Sequence, residues 1–153
     1  MGVEKARQRI ELTTPLTVLY IEHVAFVLAK EWMTFNEAIP DFSTRFPGKL
    51  EACVSQPFQT FGGKPLYPTL IKKAAILFYL LIKDHPFQNG NKRVAITSLF
   101  SFLFVNDKWL KVDPPRLYSF TVFVAESASN QKEEMVNLIE DFLGNYLTDA
   151  QPK

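Results

Sequence analysis

The sequence predicts an all-α bundle with a small β-like flap, and three observations indicate this fold class. Residues 70–83 are apolar on almost every side at helical spacing, which is typical of a helix buried at the centre of a domain. Residues 91–105 resume helical spacing, so two central helices flank one short polar loop. Residues 58–68 mix prolines and aromatic residues around Gly62-Gly63, a composition that favours a hairpin or flap.

Local spacing predicts the elements before the second central helix. Thr17 precedes apolar residues that recur at intervals of three and four, so we expect it to cap a helix that ends near Met33. Residues 49–55 are expected to form a short helix after a turn-rich connection. Thr69 is expected to cap the first central helix, which begins at Leu70.

The C-terminal third is less regular. Residues 109–112 fit a short strand or an extended edge, which Pro114-Pro115 would end. Residues 120–127 alternate partly like a strand, but they lie among helices and we expect a helix there.

A last helix is expected after a capping box formed by Asn130 and Glu133. No repeat or linker divides the chain, so we expect one domain over residues 1–153, with its ordered part at about 15–147 and frayed ends on either side.

Composition and charge indicate one domain and disfavour a nucleic-acid-binding protein, a membrane protein and a disulfide-stabilised protein. The chain has 153 residues, 47% of them hydrophobic, which suits one domain with a real core. With 17 Lys+Arg against 16 Asp+Glu the net charge is +1, which disfavours direct nucleic-acid binding and makes any anion site a local one. Residues 94–106 form the longest uncharged stretch, well short of the roughly 18–20 residues of a membrane span. The single Cys53 excludes an intramolecular disulfide, and no Cys/His spacing resembles a zinc site, which together suit a reducing cytoplasm. Cys53 itself is expected to be a small apolar filler.

One dense polar cluster, residues 85–93, carries groups suited to phosphoryl chemistry. His85 can act as a general base, because a histidine imidazole takes up and releases a proton near neutral pH. Gly90 permits a positive φ or a close approach to a ligand. The amides of Asn91, Lys92 and Arg93 open a helix, where free N–H groups favour an anion.

Two cations at this helix start oppose the helix dipole, and a bound phosphate would relieve that conflict. The lysines of the first central helix have a simpler interpretation, because Lys72, Lys73 and Lys83 are expected to cover its solvent-facing parts.

Residues 85–93 resemble the signature of the Fic superfamily, His-x-Phe-x-(Asp/Glu/Asn)-(Gly/Ala)-Asn-x-Arg. Lys92 followed by Arg93 is similar to the Doc, or death-on-curing, branch. The similarity extends to Thr-Phe-Gly-Gly at 60–63 and Leu-Tyr-Pro-Thr-Leu at 66–70, and it covers most of the chain from about Pro15.

The resemblance implies a Fic-fold helical bundle that binds ATP and Mg²⁺ at the loop and modifies a hydroxyl group of a protein target. Doc-branch proteins are described as kinases that phosphorylate a threonine of elongation factor Tu and halt translation. The Fic forms with glycine at the lysine position mostly transfer AMP. The resemblance also implies a Phd-like antitoxin that inhibits the protein in trans.

By position, the resemblance makes His85 the general base and Asn89 the metal ligand. The same reasoning assigns catalysis to Lys92 and Arg93 beside His85, and phosphate binding to Gly90, Asn91, Lys92 and Arg93.

Two further assignments follow from the resemblance. Phe87 becomes the buried anchor of the loop, and Thr60, Phe61, Gly62 and Gly63 become the target-docking flap.

Two departures from the family pattern keep alternatives open. Asn89 replaces a common acidic residue, and Val94 replaces a threonine frequent in Doc relatives. A weakened metal site would favour a catalytically degenerate protein that binds a nucleotide or a partner. An AMP transferase of the general Fic type is the other alternative.

Overall fold

The computed structural model describes residues 12–32 and 38–150, which form a helical bundle with two small antiparallel sheets. The expected all-α fold class with a small β flap is therefore confirmed. The helices are α1 (Val18–Tyr20, the π-helical Ile21–Ala25 and Phe26–Trp32), α2 (Lys49–Ser55), α3 (Leu70–Lys83), α4 (Asn91–Phe104), α5 (Pro114–Ala125) and α6 (Lys132–Tyr146). The strands are β1 (Thr60–Phe61), β2 (Lys64–Pro65), β3 (Lys108–Leu110) and β4 (Leu147–Asp149).

Helix α3 is the centre of the bundle, as its all-round apolar pattern predicts. It packs against α4 and α6 and also contacts α2 and α5. Every residue from Lys73 to Ile82 is buried, including the large side chain of Phe78. The core therefore holds this helix along most of its length, between the flap that precedes it and the loop that follows it.

Threonine caps begin α1 and α3, as expected. The Thr17 hydroxyl accepts a hydrogen bond from the amide of Tyr20 at 3.0 Å, and the Thr69 hydroxyl accepts one from the amide of Lys72 at 3.2 Å. The described part of α1 ends at Trp32, and the expected end near Met33 lies outside the described residues.

The predicted flap is a short hairpin between α2 and α3. Thr60 pairs with Pro65 and Phe61 with Lys64, and Gly62 and Gly63 form the turn with φ of 59° and 79°. These positive angles explain why glycines stand at the tip. The 3₁₀ turn Gln56–Phe58 leads into the hairpin.

The helix expected over residues 120–127 is present but begins earlier, at Pro114. The two prolines that were expected to end a strand occupy the first positions of α5 instead. Proline suits these positions because the first helical amides need no intrahelical acceptor.

The expected capping box of Asn130 and Glu133 is wrong. Residues Ser129–Gln131 form a 3₁₀ turn, and α6 starts after it. The side-chain oxygen of Gln131 accepts the amide of Ala128 at 3.2 Å, so the glutamine closes the turn in place of Asn130.

The expected frayed end after Tyr146 is also wrong, because β4 follows α6 directly and pairs with β3, Trp109 opposite Thr148. Just before Pro15, the chain is tied down as well. The amide and carbonyl of Thr14 bond to the side chain of Asn106 at 2.6 and 2.9 Å. These partners are distant in sequence, and local spacing carries no signal for them.

Cys53 is free and fully buried in α2, as expected of an apolar filler. Burial raises the pKa of its thiol to about 12. Within the described residues, no helix combines the length and apolar character needed to cross a membrane.

Candidate active site

The polar loop joins the end of α3 to the start of α4 and is anchored by Phe87. This side chain is 3% exposed and contacts the rings of Phe26 and Phe42, with centroids 5.4 and 5.8 Å away. The neighbouring Pro86 carbonyl accepts the amide of Phe46 at 2.9 Å. The expected role of Phe87 as buried anchor is confirmed.

Asn91 closes the loop through its side-chain amide. Its Oδ1 accepts the backbone amide of Phe87 at 2.9 Å, and its Nδ2 donates to the Phe87 carbonyl at 2.8 Å. These two bonds fix which end of the amide is oxygen. They also leave the second hydrogen of Nδ2 for another acceptor.

That acceptor is the imidazole of His85, whose Nδ1 lies 3.4 Å from Asn91 Nδ2. The contact favours the neutral tautomer in which Nδ1 is unprotonated. At this length it is weak and can be exchanged for a substrate hydroxyl. His85 is exposed and has a φ of 49°, so the backbone holds the ring at the surface in a left-handed conformation.

Gly90 is the N-cap residue of α4 and has a φ of 81°. A Cβ at this position would lie 2.6 Å from the side chain of Ile39, so glycine is required by space as well as by conformation. Gly90 has no side-chain acceptor, and its amide donates to Asn89 Oδ1 at 2.8 Å. The first turn of α4 therefore presents the amides of Asn91 and Lys92 without a side-chain cap.

The two cations of the helix start differ in exposure. Lys92 is half-buried, whereas Arg93 is buried with 4% exposed. A buried guanidinium lies in a medium that screens its charge less than water does. The structure thus brings together His85, Asn89, Gly90, Asn91, Lys92 and Arg93 at one helix start.

The similarity of this chain to known proteins covers the loop and the two helices that it joins. The model of the Fic/DOC family matches residues 18–103. The chain belongs to the Fic/DOC family. A curated protein, Toxin Doc of Mycolicibacterium smegmatis, is 35% identical over 91 residues, which are 60% of this chain and 65% of that protein. The chain thus matches less than two thirds of that relative's length, and no solved structure matches it.

Asn89 is the residue expected to act as a metal ligand, and its surroundings limit what it can hold. Its Oδ1 already accepts the Gly90 amide, and its Nδ2 lies 3.4 Å from the Ala38 carbonyl. In the described part of the chain, no three His, Cys, Asp or Glu side chains are grouped to hold a metal. Magnesium prefers carboxylates together with phosphates. These donors do not fit a resident Mg²⁺ site, and Asn89 fits only as one ligand to an ion that arrives with a nucleotide.

The flap of this Fic/DOC protein lies at the opposite end of α3 from His85. Helix α3, which lies between them in the chain, has 14 residues and is about 20 Å long. Phe61 is 80% exposed, and Thr60, Gly62 and Gly63 are exposed beside it. The flap residues are therefore exposed on the segment that precedes α3, whereas His85 stands on the loop that follows it.

Two features were not predicted from the sequence: the packing of Ile39 on Gly90 and the burial of Lys73. Ile39, which makes Gly90 obligatory, lies far from it along the chain, and spacing gives no signal for such a contact. Lys73 was expected to face solvent, but it is buried with 4% exposed. The sequence contained one signal of this burial: Lys73 follows the exposed Lys72 directly and lies on a helix that is apolar all round.

Proposed function

We propose that this chain is a Doc-like toxin that transfers the γ-phosphate of ATP to a serine or threonine hydroxyl of a protein target. The observation that carries the proposal is the exposed imidazole of His85 beside the uncapped start of α4. A base and an anion site in contact with one another are what transfer of a phosphoryl group to a hydroxyl requires.

In this proposal the loop residues divide the work. His85 takes the proton of the target hydroxyl on Nδ1, once that hydroxyl replaces the weak contact between Nδ1 and Asn91. The amides of Asn91 and Lys92 hold phosphate oxygens, and the left-handed Gly90 aims these amides outward. Lys92 and Arg93 add positive charge where negative charge develops in the transition state.

Magnesium enters this proposal with the nucleotide. When bound, the ion neutralises phosphate charge, and Asn89 is its candidate protein ligand. Since Asn89 is neutral, we expect affinity for ATP to depend less on Mg²⁺ than it would with a carboxylate at this position.

The preference for a kinase rests on Lys92, which stands where AMP-transferring Fic proteins mostly have glycine. By the same resemblance the target is elongation factor Tu, so the consequence is inhibited translation in the cytoplasm. A Phd-like antitoxin supplied in trans would keep the protein inactive. The similarity to a protein named Toxin Doc supports a toxin that has an antitoxin partner.

Labelled ATP tests the reaction. Incubation with elongation factor Tu and γ-labelled ATP is expected to label the factor, whereas α-labelled ATP is not. If only α-labelled ATP labels the factor, the protein is an AMP transferase and not a kinase. A folded protein that transfers neither label to the factor would overturn both activities toward this target.

A variant of His85 tests the general base. His85→Asn is suited to this because asparagine tolerates a positive φ, so the loop keeps its conformation. We expect at least a 100-fold loss of transfer at an unchanged melting temperature. Full activity in this variant would remove His85 from the role of base.

The second candidate function is nucleotide or partner binding without chemistry, and the neutral Asn89 favours it. Titration of ATP with and without Mg²⁺ separates the two candidates. Binding that ignores Mg²⁺ and is never followed by transfer supports the binding protein. Asn89→Asp is expected to make ATP binding more dependent on Mg²⁺ in either case.

A further inference from the structure

Residues 38–46, which we call the brace, lie between α1 and α2 and run beside the loop that carries the candidate site. The brace contacts the loop at four points: Phe46 with Pro86, Phe42 with Phe87, Ala38 with Asn89 and Ile39 with Gly90. Two of these points are polar contacts with a backbone carbonyl, and two are apolar packing. The conformation of the loop therefore depends on a segment that the proposed reaction does not use.

Ile39 is the brace residue that packs on the start of α4. Its side chain is buried, with 5% exposed, and three of its carbons lie 2.6, 2.9 and 3.3 Å from the place that a Cβ of Gly90 would take. Glycine permits the φ of 81° at this position but has no side chain of its own to hold it there. The side chain of Ile39 fills that place and supports Gly90 from outside.

The brace has supports of its own. Pro40 restricts the backbone of Ile39 to extended conformations. Further along, the guanidinium group of Arg45 donates a hydrogen bond to Glu51 of α2 at 3.0 Å and lies over the ring of Phe42, 4.5 Å from its centre. Ile39 thus projects from a segment whose conformation is restricted on either side of its contact with the loop.

The contacts of the brace fall on one part of the loop. They involve residues 86–90, which lead into the helix start where the proposed function places the phosphates. His85 lies before this part, and its imidazole contacts Asn91. Hydrogen-bond donors bind an anion more tightly when they are held in place before the ligand arrives. We therefore expect the brace to act on nucleotide binding.

We propose that Ile39 is a positioning residue of the phosphate site, which holds Gly90 and thereby sets the affinity for the phosphate chain of ATP. It acts through the amides of Asn91 and Lys92 and needs no contact with the nucleotide. The link to ATP rests on the proposed function, whereas the packing of Ile39 on Gly90 is a feature of the structure itself.

Amide hydrogen exchange in the full chain tests the positioning without any assay of activity. The Val94 amide donates to the Gly90 carbonyl at 2.9 Å, in the first turn of α4. In Ile39→Ala, exchange of this amide is expected to rise about tenfold, because Gly90 loses its support. The Leu99 amide, in the middle of α4, is the internal reference and should stay within about twofold.

The matched control is Ile139→Ala, which also truncates a fully buried isoleucine but lies in α6. It should lower the melting temperature and leave the exchange of Val94 relative to Leu99 unchanged. If Ile39→Ala does not fold, Ile39→Val replaces it, since it removes only the Cδ1 methyl group, and a rise of about threefold is then expected. Unchanged exchange of Val94 in a folded Ile39 variant would overturn the positioning role.

Calorimetric titration with ATP and Mg²⁺ tests the link to phosphate binding. Ile39→Ala is expected to raise the Kd for ATP about tenfold, whereas the Kd of Ile139→Ala should stay within about twofold of the original. An unchanged Kd together with accelerated exchange of Val94 would contradict the role in ATP affinity. If the unaltered protein binds no ATP, the proposed function fails, and the exchange measurement still decides whether Ile39 holds the helix start.

A double variant tests whether Ile39 acts through Gly90. The methyl group of Gly90→Ala meets Ile39 in the otherwise unaltered protein and has room once Ile39 is truncated. We therefore expect the Kd for ATP of the double variant Ile39→Ala/Gly90→Ala to be at least about threefold lower than the product of the two separate effects. Separate effects that simply multiply would show that Ile39 acts by another route, and the proposal would then be wrong.

Discussion

The loop that follows α3 is held at successive residues, whereas the flap that precedes α3 is held at its base and exposes its tip. Phe87 is buried among aromatic rings and its backbone is bonded on both sides by Asn91. Phe61, at the corresponding outer part of the flap, is 80% exposed. The rigid segment suits chemistry, which needs groups held in a fixed geometry. The exposed segment suits recognition of a large surface.

The same contrast separates two glycines with nearly equal backbone angles. Gly90 has a φ of 81° and is packed against Ile39, while Gly63 has a φ of 79° and open space around it. A positive φ alone therefore does not determine whether a position tolerates a side chain. Gly90 tolerates one less well than Gly63 because the loop is packed against Ile39.

The largest expected effect is that of Phe87→Ala. Removal of this buried ring leaves a cavity between α1 and the loop, and we expect a loss of about 3–5 kcal/mol in the free energy of unfolding. Urea denaturation followed by circular dichroism measures it. A loss below about 1 kcal/mol would mean that the loop is not anchored by this ring.

The second largest effect on the free energy of unfolding is expected at Gly90, and a variant of Gly63 is its matched comparison. Gly90→Ala is expected to lower the free energy of unfolding by about 2–4 kcal/mol, because strain and the contact with Ile39 act together. Gly63→Ala should cost about 1 kcal/mol, since backbone strain acts alone.

The control for both variants is Gly144→Ala in α6, where nothing lies within 4 Å of the new methyl group. This change should be neutral or stabilise the protein by up to about 1 kcal/mol. Equal losses in the Gly90 and Gly63 variants would break the contrast between a packed loop and an open flap.

The sequence predicted the elements whose causes are local. Threonine caps at Thr17 and Thr69, the glycine turn of the flap and the all-round apolar pattern of α3 each depend on neighbouring residues. The signature between α3 and α4 located the candidate site because its residues are contiguous.

What escaped prediction depends on residues that meet only after folding. β4 pairs with β3 across a separation of about forty positions, and Ile39 packs on Gly90 from a distant segment. Lys73 is a different case, because its partner Tyr67 is only six residues away and the all-round apolar pattern of α3 was a local signal that it is buried.

A third, smaller effect concerns the amide that closes the loop. Asn91→Ala removes both bonds to Phe87 and leaves its backbone amide and carbonyl without their side-chain partner. We expect a loss of about 1–3 kcal/mol in the free energy of unfolding, together with weaker binding of ATP. Asn91→Asp keeps the acceptor for the Phe87 amide and should lose less stability. Equal losses in the two variants would show that this acceptor contributes nothing.

The smallest effect on stability is expected at the flap. Phe61→Ala removes an exposed ring, and the free energy of unfolding should stay within about 0.5 kcal/mol of its original value. If the flap docks the target, the same variant should raise KM for the protein target about tenfold while kcat remains unchanged, because the lost contact would serve docking and not the loop that carries His85. A fall in kcat at constant KM would place the flap beside the reacting groups, and the division of labour between the two ends of α3 would then be wrong.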